Sequence, residues 1–255
     1  MMTASADVKY ASASRGKSHA LRRIPPLVSI AATVACGALA APAVSHADPS
    51  LVASERVAGC PDVQVVFARG TGEAPGAGRV GDAFADSLRS LVKGKTVAVY
   101  GVDYPASYDF MRAMDGVYDG AVFIQNMAQS CPATKMVLGG FSQGAAVVDV
   151  LAATGRPILG FTSPLPDSVA DHIAAVAVFG NPSNRIGEPL AALSPLYGNK
   201  AIDLCNGADP VCSNGDDVPA HSLYVEAGMA SQAAQFVAAR LAGAQPTTQL
   251  AAGSN

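Results

Sequence analysis

Of the 255 residues, 17 are basic and 20 acidic, and the first 47 positions carry five of the basic residues but one of the acidic ones. Without that segment 208 residues remain, with 12 basic and 19 acidic side chains and a net charge of −7. That is enough chain for one domain with a sizeable core, and its charge attracts neither nucleic acid nor an anionic membrane surface.

Residues 1–47 read as an export signal. Lys9, Arg15, Lys17, Arg22 and Arg23 give a basic start, and Leu27 to Ala41 is apolar apart from Ser29, Thr33 and Gly37. Ser45-His46-Ala47 then sets small residues at the two positions a signal peptidase reads, so cleavage is expected after Ala47. The apolar run has 15 residues, short of the roughly 20 that a spanning helix needs. Residues 48–245 form the expected domain and 246–255 a flexible tail. The protein is expected to be secreted, with retention at the cell envelope left open.

Asp62 to Ala68 is β-branched and apolar and reads as a buried strand. It runs into the glycine-rich loop Arg69-Gly70-Thr71-Gly72-Glu73. Arg79 to Val92 places Val80, Phe84, Leu88 and Leu91 on one face of a helix. Thr96 to Val102 is a second strand, ended by Asp103-Tyr104-Pro105 because proline cannot continue a central ladder. A long helix is expected from about Tyr108 to Ser130. The apolar run Met136-Val137-Leu138 reads as a strand, and Ala145 to Leu151 as a helix. Further strands are expected at Ile173 to Phe179 and Lys200 to Leu204, and a final helix at Ser231 to Leu241. Strands alternating with helices specify a parallel sheet covered on both faces, an α/β three-layer sandwich with five strands.

The stretch Gly140-Phe141-Ser142-Gln143-Gly144 lies between a strand and a helix. In that context Gly-x-Ser-x-Gly is a nucleophile elbow, with the serine hydroxyl lifted clear of the sheet. A serine needs a base within hydrogen-bond reach, and the base needs a group to hold its tautomer. Outside the export signal only His172 and His221 are available. His172 opens a strand and so sits at the wrong end of a parallel sheet, whereas active groups gather at the carboxyl ends. His221 follows the last strand and fits the order Ser, acid, His. The acid is then Asp203, Asp209, Asp216 or Asp217. Asp203 lies within a strand, and Asp216 and Asp217 look like a solvated turn. Asp209 is favoured, because it lies between Cys205 and Cys212, whose closing would stiffen the loop, and an orienting carboxylate needs a rigid loop. The oxyanion donors expected are the backbone N–H of Gln143, at a helix start, and Thr71 from the loop after the first strand.

Four cysteines follow the export signal, Cys60, Cys131, Cys205 and Cys212, an even number that reads as disulfides in an exported chain. The spacing favours Cys205 with Cys212, leaving Cys60 with Cys131. Neither a Cys-x-x-Cys nor a histidine cluster suggests a metal, and no cofactor is implied.

With these residues in place, the chain resembles the cutinase family of serine esterases, closer to exported actinobacterial members than to fungal ones. The resemblance rests on Cys60-Pro61-Asp62, Arg69-Gly70-Thr71, the 140–144 elbow, Asp209-Pro210-Val211-Cys212 and His221, and it spans nearly the whole chain after the export signal. It implies a lidless hydrolase fold, a Ser142–Asp209–His221 triad, Thr71 and Gln143 as oxyanion donors, and the disulfides Cys60–Cys131 and Cys205–Cys212. It implies a monomer acting on hydrophobic esters of short to medium acyl chain, or on lipids, without an obligate protein partner. An acyltransferase or phospholipase-like envelope enzyme is the alternative. Two positions depart from the fungal pattern: Phe141 stands where tyrosine is usual and Thr71 where serine is usual. Thr71 keeps the hydroxyl but narrows the site, which counts against bulky polymer ends.

Overall fold

In the computed structural model, which describes residues 59–153, 157 and 161–243, five parallel strands make one sheet in the order β2-β1-β3-β4-β5. The strands are β1 (Val63–Ala68), β2 (Val97–Gly101), β3 (Lys135–Phe141), β4 (Ile173–Phe179) and β5 (Ala201–Leu204). The helices are α1 (Gly78–Leu91), α2 (Ala113–Ser130), α3 (Gln143–Ala152), α4 (Pro182–Arg185), α5 (Leu190–Leu193) and α6 (Met229–Leu241). The export signal, its cleavage point and the tail 246–255 lie outside the described residues.

Side chains alternate across each strand, and this alternation builds two cores. Val66, Leu138 and Val176 face one side and pack with Val117, Ala121 and Ile124 of α2 and Val147, Val148 and Leu151 of α3. Val65, Val137 and Ala177 face the other, with Val80, Phe84 and Leu88 of α1 and Ala233, Ala234 and Val237 of α6. Phe67, Phe84 and Phe179 meet in this second core at ring separations of 6.2–6.3 Å. The central strands β1, β3 and β4 are buried almost throughout, while the edge strands β2 and β5 are half-buried.

The long helix expected from Tyr108 begins later. Residues Phe110–Arg112 form a single 3-10 turn and α2 starts at Ala113. Ser107 to Met111 therefore forms an irregular rim, with Tyr108, Phe110 and Met111 exposed. The short helices α4 and α5 were not expected. Four residues carry too little periodicity to be seen in a sequence; α4 is nonetheless capped locally, since Asn181 Oδ1 accepts from Ser183 N at 3.0 Å and Pro182 stands at its first position.

Strand order is what brings distant loops together. β1 pairs with β2 on one side and β3 on the other, so the chain reverses direction across the sheet between them. A crevice opens where two such connections diverge. Ala68 aligns with Gly140, which brings the loop after β1 beside the turn after β3. A disulfide between Cys60 and Cys131 joins the segment before β1 to the end of α2, 71 positions apart in sequence. Closing a loop of that length stabilises a fold by about 4 kcal/mol through the unfolded chain.

Candidate active site

Ser142 sits at the turn between β3 and α3. Its φ of 56° and ψ of −118° lie where residues other than glycine are rarely found. The turn closes only because its two glycines lack side chains. A Cβ on Gly140 would meet Gly144 O at 2.2 Å, and one on Gly144 would meet Ala68 O at 1.9 Å. Ser142 N donates to Phe179 O at 2.9 Å, which ties the turn to β4. Gln143 opens α3, in the turn where helical N–H groups have no intrahelical partner.

The imidazole of His221 reaches this serine: Nε2 is 2.9 Å from Ser142 Oγ. On the other side, Nδ1 is 2.8 Å from Asp209 Oδ2. His221 sits in the 3-10 segment Val218–Ser222 and stacks on Phe141 at 4.9 Å between centroids. Asp209 is fully buried, and its two oxygens are held by donors. Oδ1 accepts from Val211 N at 2.8 Å, and Oδ2 accepts from Tyr224 Oη–H at 2.7 Å as well as from the imidazole. The disulfide Cys205–Cys212 closes the loop that carries this aspartate. The chemistry available is proton transfer from a serine hydroxyl to an imidazole whose far nitrogen faces a buried carboxylate.

Thr71 enters from the loop after β1. Its hydroxyl donates to Gln143 Oε1 at 3.3 Å, and Gln143 Nε2 donates to Ser107 O at 3.0 Å. The Gln143 amide thus spans the gap between two loops. The loop beneath Thr71 is fixed from several sides. Gly70 N donates to Glu73 Oε2 at 2.6 Å, and Gly72 N to Ala106 O at 2.7 Å. The buried Arg69 guanidinium donates to the carbonyls of Glu73, Val102 and Tyr104.

The other candidates lie elsewhere. His172 ends a 3-10 segment before β4 and lines a separate cavity with Gln125 and Pro166. Asp203 turns toward Asn181 and Asn184 at 3.0 and 2.6 Å. Asp216 and Asp217 are exposed as expected, but Asp217 also caps the segment carrying His221, its Oδ1 accepting from Ala220 N at 3.3 Å. Tyr224 is the functional residue that sequence reasoning missed. It is fully buried and three positions after His221, and its phenol is pushed far above its ordinary value by burial and then by the bond to Asp209. A tyrosine following the histidine was the available signal, but nothing local distinguishes it from a core aromatic.

A cavity of about 710 Å³ opens at Ser142. Thr71, Glu73, Arg79, His221 and Ser222 line it together with apolar residues of α2 and α3.

The family model for cutinase matches residues 59–241. The chain belongs to the cutinase family. Phospholipase Culp4 of Mycobacterium tuberculosis is 52% identical over 227 residues, covering 89% of this chain and 96% of that one. Carboxylesterase Culp1 of Mycobacterium bovis is 44% identical over 230 residues, with coverage of 86% and 97%. Among solved structures, Trichoderma reesei cutinase in complex with a phosphonate inhibitor aligns at a TM-score of 0.59 and 35% identity, over 71% of this chain and 77% of that one. An acetylxylan esterase aligns at 0.62 and 27%, over 71% and 99%. This cutinase-family chain is a carboxylic ester hydrolase with an α/β-hydrolase fold.

Proposed function

We propose that the chain is a secreted serine esterase that cleaves hydrophobic esters of short to medium acyl chain, or lipids, through Ser142, His221 and Asp209. The observation that carries this reading is the unbroken chain of contacts from Ser142 Oγ to His221 Nε2 and from His221 Nδ1 to Asp209 Oδ2, at 2.9 and 2.8 Å. These distances are within the range that general-base catalysis needs.

Ser142 Oγ attacks the ester carbonyl as its proton passes to His221 Nε2. The backbone N–H groups of Gln143 and Thr71 hold the oxyanion, each such donor contributing about 3 kcal/mol. Thr71 contributes through its amide, since its hydroxyl is engaged with Gln143. The bond to the alcohol oxygen breaks, and that oxygen takes the proton from His221. Water, deprotonated by the same imidazole, then attacks the acyl-enzyme; the acid leaves and Ser142 regains its proton. Asp209 keeps the imidazole oriented and stabilises its cation without itself taking a proton.

Export with cleavage after Ala47 is part of the proposal, as is action as a monomer without cofactor. Chromogenic esters of graded chain length test the reading, with Ser142→Ala alongside. Wild-type turnover with loss in the variant of about 10⁶-fold supports it, and equal turnover refutes it. The similarity to a relative named a phospholipase supports a second reading, action on phospholipid or transfer to an acceptor other than water. Product analysis with phospholipid vesicles and a competing alcohol separates these from simple ester hydrolysis.

A further inference from the structure

The carbonyls on either side of His221 are each bound by a side chain from another part of the chain. Ala220 O accepts from Asn206 Nδ2 at 2.8 Å. Ser222 O accepts from one terminal nitrogen of the Arg79 guanidinium. The other terminal nitrogen, Nη1, donates to both oxygens of Glu226 at 3.0 and 3.1 Å. One planar group thus grips the histidine segment at two points, 143 and 147 positions away in sequence. Arg79 is itself fixed at its root. It is the second residue of α1, and its backbone N–H donates to Glu73 Oε1 at 2.8 Å. The same carboxylate accepts from Gly70 N on Oε2 at 2.6 Å. Gly78 makes room for it: its φ is 71°, and a Cβ there would lie 2.4 Å from Glu73 Oε2. A run of bonds therefore leads from the loop that carries Thr71, through Glu73 and Arg79, to the carbonyl beside His221. Among the described residues, no other hydrogen bond joins 70–79 to 218–226.

Resting on the esterase reading above, we infer that Arg79 is a positioning residue for ester hydrolysis: it holds Ser222, and with it His221, at the distance from Ser142 that proton transfer requires. The imidazole takes a proton and returns it in each half of the reaction, so Nε2 must stay within reach of Ser142 Oγ, 2.9 Å away. Asp209 orients the ring through Nδ1. A single bond of that kind fixes a direction and still lets ring and backbone pivot about it; a hold on the backbone on each side of His221 removes that freedom. The Arg79–Glu226 pair is about half exposed, at 47% and 57%, and an ion pair that open to water adds little to stability. Its effect falls on geometry instead. A displacement of about 1 Å near a reacting group costs on the order of 10²-fold in rate. With Asn206 still holding Ala220 O, loss of Arg79 permits only part of that displacement.

The test is kcat and KM of the purified protein on p-nitrophenyl butyrate for wild type, Arg79→Ala and Arg79→Lys. Active sites are counted by titration with a phosphonate ester, so that unfolded protein is not scored as slow enzyme. Arg79→Ala is expected to lower kcat per titrated site about tenfold, with KM within about twofold of wild type and Tm lower by less than about 4 °C. Arg79→Lys keeps the charge but offers one ammonium where two bonds diverge, so it recovers no more than about threefold of that loss. Should the alanine variant fail to fold, Arg79→Gln is read in its place. A kcat per site within about threefold of wild type overturns the assignment. So does a raised KM at unchanged kcat, which would make Arg79 a substrate contact, and so does full recovery by lysine, since charge alone would then suffice. Each of these outcomes is read on an active wild type; a wild type that turns over no ester fails the esterase reading itself.

Discussion

Two buried acid systems stand at the same end of the sheet, and they are built oppositely. Asp209 is surrounded by donors: the imidazole of His221, the phenol of Tyr224 and the amide of Val211. Asp149 and Asp203 instead face one another across a single amide, with Asn181 Nδ2 donating to Asp149 Oδ1 at 3.1 Å and to Asp203 Oδ2 at 3.0 Å. Burial pushes Asp149 up to about 8, and the neighbouring Asp203 adds to the rise; burial raises Asp203 too. Full burial is shared by Asp209 and Asp149, so burial alone does not decide the role of a carboxylate. The partners decide it. Donors on every side suit an anion that must steady an imidazolium. An acid facing an acid suits a clamp: Asn184 Nδ2 and Leu190 N also donate to Asp203, which holds the segment from Asn181 to Leu190 against β5.

The contrast is sharpest when each system loses its charge. Asp209→Asn keeps the shape but holds the wrong imidazole tautomer, and kcat is expected to fall about 10⁴-fold. Steady-state kinetics on a butyrate ester reads this directly; a loss below tenfold would mean that Asp209 is as structural as Asp149. Tyr224→Phe removes one donor from Asp209 Oδ2 and leaves the contacts among Ser142, His221 and Asp209 in place. The expected loss in kcat is about tenfold, matching a charged hydrogen bond at the low end of about 1.5–3 kcal/mol. An unchanged kcat would mean that the phenol of Tyr224 does no more than fill the core beside Asp209.

The smallest effect belongs to Asp149→Asn. In the folded chain Asp149 keeps its proton until about pH 8, whereas an unfolded aspartate loses it near pH 4. Between those values the folded state binds the extra proton, so stability falls as pH rises. Asparagine cannot lose a proton and removes that slope. Thermal unfolding at pH 5 and pH 8 should therefore show the variant's Tm gaining on wild type by about 2–4 °C per kcal/mol relieved, with ester hydrolysis unchanged within about threefold. If hydrolysis fell with Asp149→Asn as far as with Asp209→Asn, the two systems would not be separate.

Much of this site was legible in the chain because its parts carry local chemistry. The elbow announces itself through Gly140 and Gly144, since no other residue fits against Gly144 O and Ala68 O. His221 stood out by subtraction, there being few histidines to choose from. The start of α2 was less legible: the apolar spacing from Tyr108 onward is helical, but Phe110 and Met111 are turned to solvent and the first turn is 3-10. Periodicity reports which residues share a face and says nothing about whether that face has anything to pack against.

From the sequence alone came the elements, the parallel sheet and the residue types able to activate a serine, because backbone propensity, strand alternation and turn chemistry act between near neighbours. Only the tertiary structure decided which of four aspartates reaches the imidazole and that Tyr224 binds the same aspartate. Those facts depend on contacts such as the one that spans the 79 positions between Ser142 and His221. Such distances are set by strand order and by packing on both faces of the sheet, and no local pattern in the chain encodes them.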